Sequence, residues 1–235
     1  MLHSGKYGTI KKLLGDKNML NIKFLNEAKK PKILCLGAHA DDIEIGCGGT
    51  ILRLISEVPE PQFYWVVLSG GEERAKEARQ SAQVFLRDVG SKVIDVQDFR
   101  ESYFPFCGAE IKDFFEKLSR EFSPDLIFTH CRNDAHQDHR LLSALTWNTF
   151  RDHFIMEYEI PKYDGDLGNP NLYVCLNEAV VKRKVECICD AFRSQTEKQW
   201  FSEDTFRSIL RIRGVESNSS TRYAEAFYCR KIVFQ

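Results

Sequence analysis

The chain lacks any run of about 18 apolar residues, the length that would carry a helix through a bilayer. It also lacks the short apolar core and small-residue cleavage site of a secretory signal. A soluble, cytoplasmic protein is therefore the expectation. An excess of charge of one sign is missing too, since 33 Lys and Arg face 34 Asp and Glu. That balance gives no electrostatic reason to expect nucleic acid or an anionic membrane as partner, and points instead to a small molecule. No Cys-x-x-Cys pair occurs among the eight cysteines, which leaves thiolate zinc ribbons and thioredoxin-like redox motifs without support. Cys35 in KILCLGAH, and Cys187 with Cys189 in VECICDAF, sit inside apolar patterns and read as reduced, buried thiols. Internal repeats and low-complexity segments are absent as well.

What the 235 residues do contain, at 43% hydrophobic composition, is enough apolar side chain for one substantial core. Residues 1–30 carry seven lysines against two acids and read as a solvated N-terminal extension rather than a lid or an oligomer contact. From Pro31 to Gln235 a single domain is expected. Short apolar runs (Lys32 to Ala38, Phe63 to Ser69, Lys92 to Asp95, Asp125 to Thr129) alternate with amphipathic ones (Gly48 to Glu57, Glu72 to Val89, Ala109 to Phe122, and a fourth starting near His139). That alternation predicts an α/β fold, a Rossmann-like three-layer sandwich with a mostly parallel twisted sheet and helices on both faces. Beyond about Ile155 the pattern loosens into EYEIPKYDGDLGNPN, a surface excursion, followed by a strand at Leu172 to Leu176, a helix from about Glu178 to Phe192 and a closing strand in AEAFYCRKIVF.

Two segments carry chemistry. LGAHADDIEIGCGGT places His39, Asp41 and Asp42 directly after the first strand, where open parallel sheets bind ligands. One aspartate can join His39 on a metal while the other faces substrate, and the residues alone do not say which. The glycines at 46, 48 and 49 do not fit G-x-G-x-x-G and read as close packing of a helix start. FTHCRNDAHQDHR, after the fourth strand, offers His130, Asp134, His136, Asp138 and His139. Four of the six histidines thus fall at two strand ends, a grouping that packing alone does not require. Two imidazoles and one carboxylate leave zinc an open position where water is polarised, with a spare carboxylate to take a proton and a spare imidazole to steady an oxyanion or a departing amine.

These segments resemble the A-H-P-D-D-x-E-x-G-x-G-G and H-x-D-H motifs of the PIG-L or LmbE-like family of metal-dependent N-deacetylases, over about Pro31 to Gln235. The resemblance implies that His39, Asp42 and His139 hold Zn2+, for which Fe2+ is a substitute, and that Asp41 is the general base. His136 becomes the second catalytic group, and Asp138 the partner that fixes an imidazole's orientation. Ala40 stands where the family usually has proline, so the turn aiming Asp41 and Asp42 is expected to be looser. An R-x-x-E pattern at Arg74 and Glu77 and the RG at Arg213 and Gly214 resemble family features near the substrate, although ordinary helix or Arg-carboxylate pairs explain them equally. Ser194 and Gln195 and the YAEAF of Tyr223 to Phe227 look like features of a carbohydrate-active subgroup. His130 reads as a residue satisfied by backbone hydrogen bonds. The implied activity is removal of an acetyl group from the nitrogen of an amino sugar or sugar conjugate. A noncatalytic metal- or sugar-binding module is the alternative, and whether the chain forms a homo-oligomer is left open.

Overall fold

Alternate residues of the first strand face opposite sides of a sheet, and both sides are apolar. In β1 (Lys32–Gly37), Ile33 and Cys35 join one buried cluster while Leu34 and Leu36 join another. A strand buried on both faces needs helices on both, which is the parallel α/β arrangement. The computed structural model describes residues 30–233. The expected N-terminal extension lies, but for Lys30, outside those described residues.

The chain continues as α1 (Asp42–Glu57), β2 (Gln62–Val67), α2 (Gly71–Phe85), β3 (Ser91–Val96), α3 (Gly108–Glu121), β4 (Leu126–His130), α4 (Gln137–Thr149), β5 (Ile155–Tyr158), β6 (Leu172–Leu176), α5 (Glu178–Ala191), α6 (Glu203–Glu216) and β7 (Tyr223–Tyr228). The seven strands lie in the order β3-β2-β1-β4-β5-β7-β6. Pairing is parallel from β3 through β5, whereas β7 runs antiparallel to both β5 and β6. One face packs on α1, α2, α5 and α6 through residues such as Ile51, Phe85, Val185 and Phe206, and the other on α3 and α4 through Phe115 and Leu142. The doubly wound sheet predicted from the alternation is thus present. Among the described residues no helix is long and apolar enough to cross a membrane, and the eight cysteines are free.

Three elements depart from the sequence expectation. Helix α1 starts at Asp42 instead of Gly48, so Asp41 is its N-cap and Asp42 lies on its first turn, where the helix dipole favours negative charge. Its glycines sit inside the helix because neighbours come too close for a side chain: a Cβ on Gly46 would enter the Tyr158 ring, and one on Gly48 would lie 2.8 Å from Phe85. Strand β5 and helix α6 have no counterpart in the sequence expectation; the first is only four residues long, and the second is rich in charge on its exposed face.

Candidate metal centre

Strands β1 and β4 are neighbours, and the helices that follow them leave toward opposite faces of the sheet. Such a switch point opens a crevice beyond the strand ends. The two motifs meet there. The turn after β1 is held to the end of β2, since Ser69 donates to the Ala38 carbonyl through both its N–H (3.0 Å) and its hydroxyl (2.8 Å). Within the turn the His39 N–H donates to Asp42 Oδ2 at 2.7 Å, so Ala40 is fixed by hydrogen bonds on both sides without proline. After β4, the Asp134 N–H donates to the Cys131 carbonyl and the His136 N–H to Asp134 Oδ1 at 2.7 Å. His136 caps α4, its Nδ1 accepting from the Asp138 N–H at 3.2 Å. The neutral ring therefore carries its proton on Nε2.

His39, Asp42 and His139 converge. Asp42 Oδ2 lies 3.5 Å from His39 Nδ1 and 3.6 Å from His139 Nε2, and the two nitrogens are 3.0 Å apart. Each of the two imidazoles is held from behind: His39 Nε2 faces Asp138 Oδ2 at 3.2 Å, and His139 Nδ1 faces Asp134 Oδ2 at 3.0 Å. A carboxylate only accepts, so these outer nitrogens bear the hydrogens and the inner nitrogens present lone pairs to each other. Two lone pairs 3.0 Å apart in a buried site repel unless a cation or a proton lies between them. Ligands at about 2.0–2.1 Å from a tetrahedral zinc are spaced by roughly 3.3 Å, close to this triangle. The donor set thus fits a divalent metal with imidazole and carboxylate ligands.

The electrostatics agree with that fit. Burial alone would lower the pKa of His39, but Asp42 and Asp138 lift it to about 10, so without metal a proton occupies the gap. Burial and the neighbouring His130 lower His139 to about 4. Burial works against ionisation of Asp42 as well, yet the surrounding imidazoles hold its carboxyl well below the usual range. Asp41 differs from its neighbour: burial raises its pKa while Arg74 opposes the rise. Its Oδ1 accepts from Arg74 Nη2 at 2.8 Å, and its buried Oδ2 has no hydrogen-bond partner. Burial and the charge on His39 lower the pKa of His136.

His130 does more than satisfy backbone. Its Nε2 accepts from the Ala38 N–H at 3.1 Å, but it also lies 3.0 Å from Asp42 Oδ2, and its ring stacks on His139 with centroids 3.8 Å apart. Among the described residues two overlapping trios could hold an ion, His39 with His136 and His139, and Asp42 with His130 and His139. Asp134 had no role assigned from the sequence; the rule that a ligand imidazole needs a carboxylate behind it would have found it. Lys162, 3.1 Å from Asp134 Oδ2, lies in the excursion after β5 and had no local signal.

The second-rank residues divide. Arg74 reaches the site through Asp41 and also pairs with Glu101 at 3.1 Å. Glu77, in contrast, accepts from the Ser194 N–H and hydroxyl at 2.9 and 2.6 Å, which ties the SQ segment to α2. Arg213, expected beside substrate, instead has its guanidinium on Glu159 (2.7 Å), Glu216 (2.8 Å) and the Gly168 carbonyl (3.1 Å), and is 5% exposed. Its donors face the protein, so its contacts are those of the Arg-carboxylate alternative, and they fasten the 159–168 loop to α6.

Comparison with known proteins extends this picture. A conserved protein from Thermus thermophilus superposes with a TM-score of 0.68 at 20% identity, covering 87% of this chain and 97% of that one. The N,N'-diacetylchitobiose deacetylase of Pyrococcus horikoshii gives 0.64 at 24% identity, with 97% and 93% covered. A 4-carboxy-2-hydroxymuconate hydratase from Pseudomonas putida gives 0.68 at 15% identity, with 87% and 98% covered. One fold therefore carries a deacetylase and a hydratase, and likeness of this degree speaks for architecture alone. The family model described as PIG-L, GlcNAc-PI de-N-acetylase, matches residues 34–150, a span that includes both motifs. The chain belongs to the PIG-L family.

Proposed function

We propose that this chain is a metal-dependent hydrolase that cleaves the N-acetyl amide of a small polar substrate, most directly an N-acetylated amino sugar or sugar conjugate. The family description and the deacetylase among the structural neighbours support the bond type. The observation that carries the reading is the pair of spare groups beside the ligand triangle. Asp41 keeps a buried, unpartnered oxygen, and the His136 ring lies 4.8 Å from that of His39 and 4.7 Å from that of His139. A site built only to bind metal needs neither.

His39, Asp42 and His139 would hold the ion, zinc in the first instance, with iron(II) accepted by the same donors. When bound, such an ion acts as a Lewis acid that polarises water and the amide carbonyl. Asp41 takes the proton of the attacking water on its free Oδ2, and burial helps by raising its pKa toward the working range of a general base. Arg74 keeps Asp41 oriented through Oδ1. His136 donates its Nε2–H to the oxygen that gains negative charge as the carbonyl becomes tetrahedral. The C–N bond then breaks, the proton held by Asp41 passes to the amine, and acetate leaves with the water oxygen. Asp134 and Asp138 keep the ligand imidazoles in the tautomer that turns a lone pair inward.

The test is acetate release from a panel of N-acetylated amino sugars and their conjugates, with and without a chelator and with zinc restored. Chelator-sensitive release is expected. A chain that binds zinc tightly yet releases acetate from nothing on the panel would move the function to the metal- or sugar-binding alternative.

A further inference from the structure

Midway along α1 the backbone is gripped by side chains from elsewhere. The Gly49 and Thr50 N–H groups donate to Glu225 Oε1 and Oε2, at 2.7 and 2.6 Å, and the Ile45 carbonyl accepts from Lys184 Nζ at 2.7 Å. The two side chains close the circuit through a 2.5 Å ion pair, and both are almost wholly buried. Glu225 comes from β7 and Lys184 from α5, so two distant elements reach the middle of α1.

Each charge meets the backbone group of opposite polarity: the ammonium takes a carbonyl and the carboxylate takes two N–H groups. Charged partners also make the stronger hydrogen bonds. A second observation points the same way: a Cβ on Gly49 would lie 2.9 Å from Glu225 Oε1 and 2.5 Å from Leu176, so the backbone is bare where the carboxylate must enter. Asp42 lies in the first turn of the same helix. The Ile45 N–H donates to the Asp41 carbonyl at 3.1 Å, which links the gripped peptide to the turn bearing Asp41 and Asp42.

We propose that the buried Lys184–Glu225 pair is a positioning unit, a splint that grips the backbone of α1 and fixes how the start of that helix presents Asp42 and Asp41 to the metal centre. The proposal rests on the metal-dependent reading given above, and its test is arranged so that the two fail separately. In the full chain, zinc affinity, Tm and amide exchange over residues 43–50 are measured for wild type, Glu225→Asp, Glu225→Gln and Lys184→Met/Glu225→Gln. Glu225→Asp keeps the charge and the fold but is too short to reach both N–H groups. It should show faster exchange at Gly49 and Thr50 and zinc affinity lowered about 10- to 100-fold, the usual range for outer-sphere losses. Glu225→Gln leaves Lys184 unpaired and should lose Tm as well. The double variant removes that unpaired charge, so its Tm should recover while zinc affinity stays low. Recovery of affinity together with Tm would reduce the pair to a stability element and overturn the proposal, as would a folded Glu225→Asp variant that binds zinc like wild type. If wild type takes up no zinc, the metal reading fails. Exchange in the metal-free protein then decides the grip on α1 by itself, and unchanged exchange in Glu225→Asp overturns it.

Discussion

Asp41→Asn separates chemistry from metal binding. The side chain lies outside the ligand triangle, so zinc content should match wild type. Asparagine keeps an oxygen for Arg74 at the position now 2.8 Å away, but its amide cannot accept a proton from water. General-base assistance is worth about 10²- to 10⁴-fold. A hundredfold fall in kcat/KM, the lower bound expected, corresponds to about 2.7 kcal/mol of transition-state stabilisation. Stability should move little, because two effects oppose. Burial disfavours the charge on Asp41, and the neutral amide removes that charge. Arg74 loses its charged acceptor but keeps Glu101 at 3.1 Å. A net change within about 1 kcal/mol places Tm within roughly 4 °C of wild type. The assay is acetate release at saturating zinc, beside metal analysis and a melting curve. Zinc lost together with activity would make Asp41 a ligand, and activity retained within tenfold would remove it as the base.

Four further outcomes follow from the same geometry. His136→Gln, which keeps an N–H donor, should retain more turnover than His136→Ala, with zinc bound in both; equal activity in the two would show that no donor is needed there. Asp134→Asn weakens the hold on His139 and on the His136 N–H, and should lower zinc affinity by about 10- to 100-fold in a chelator competition. Zinc uptake at neutral pH should release about one proton, because metal ligands must be deprotonated to bind. The sign is set by His39, whose raised pKa of about 10 stabilises the metal-free fold below its unfolded value and loses that contribution as pH rises through 10; calorimetry showing no dependence on buffer ionisation would refute it. A chain beginning at residue 30 holds the whole described sheet and each candidate ligand, so it should fold and take up zinc normally, as gel filtration and metal analysis would show.

Much of this architecture could be read from apolar runs alone. The strands that pack on both sides, β1, β2 and β4, announce themselves as unbroken hydrophobic stretches, and β6 and α5 fall within a residue of expectation. The start of α1 is hidden in the sequence because glycines at 46, 48 and 49 look like breaks when the neighbours that require them, Tyr158 and Phe85 among others, are far away in the chain. The motif residues were legible as a metal half-site on each strand end, but which carboxylate stands behind which imidazole depends on loop paths that no spacing encodes. For the same reason Arg213 could be found and not placed; its partners Glu159 and Gly168 lie in an irregular excursion.

The antiparallel strand β7 has a consequence for synthesis. It inserts between β5 and β6, so the sheet has no continuous hydrogen bonding on that side until this late segment has been made. Until then β5 is an open edge, the kind that invites pairing with another chain. β7 also delivers Glu225 to α1, so a chain cut short before Tyr223 would carry all the candidate ligands but only the Lys184 half of the splint. Such a fragment should bind zinc poorly and stick to its own kind. β7 follows every other strand of the sheet, so the carboxylate proposed to brace α1 is made after all of the candidate ligands.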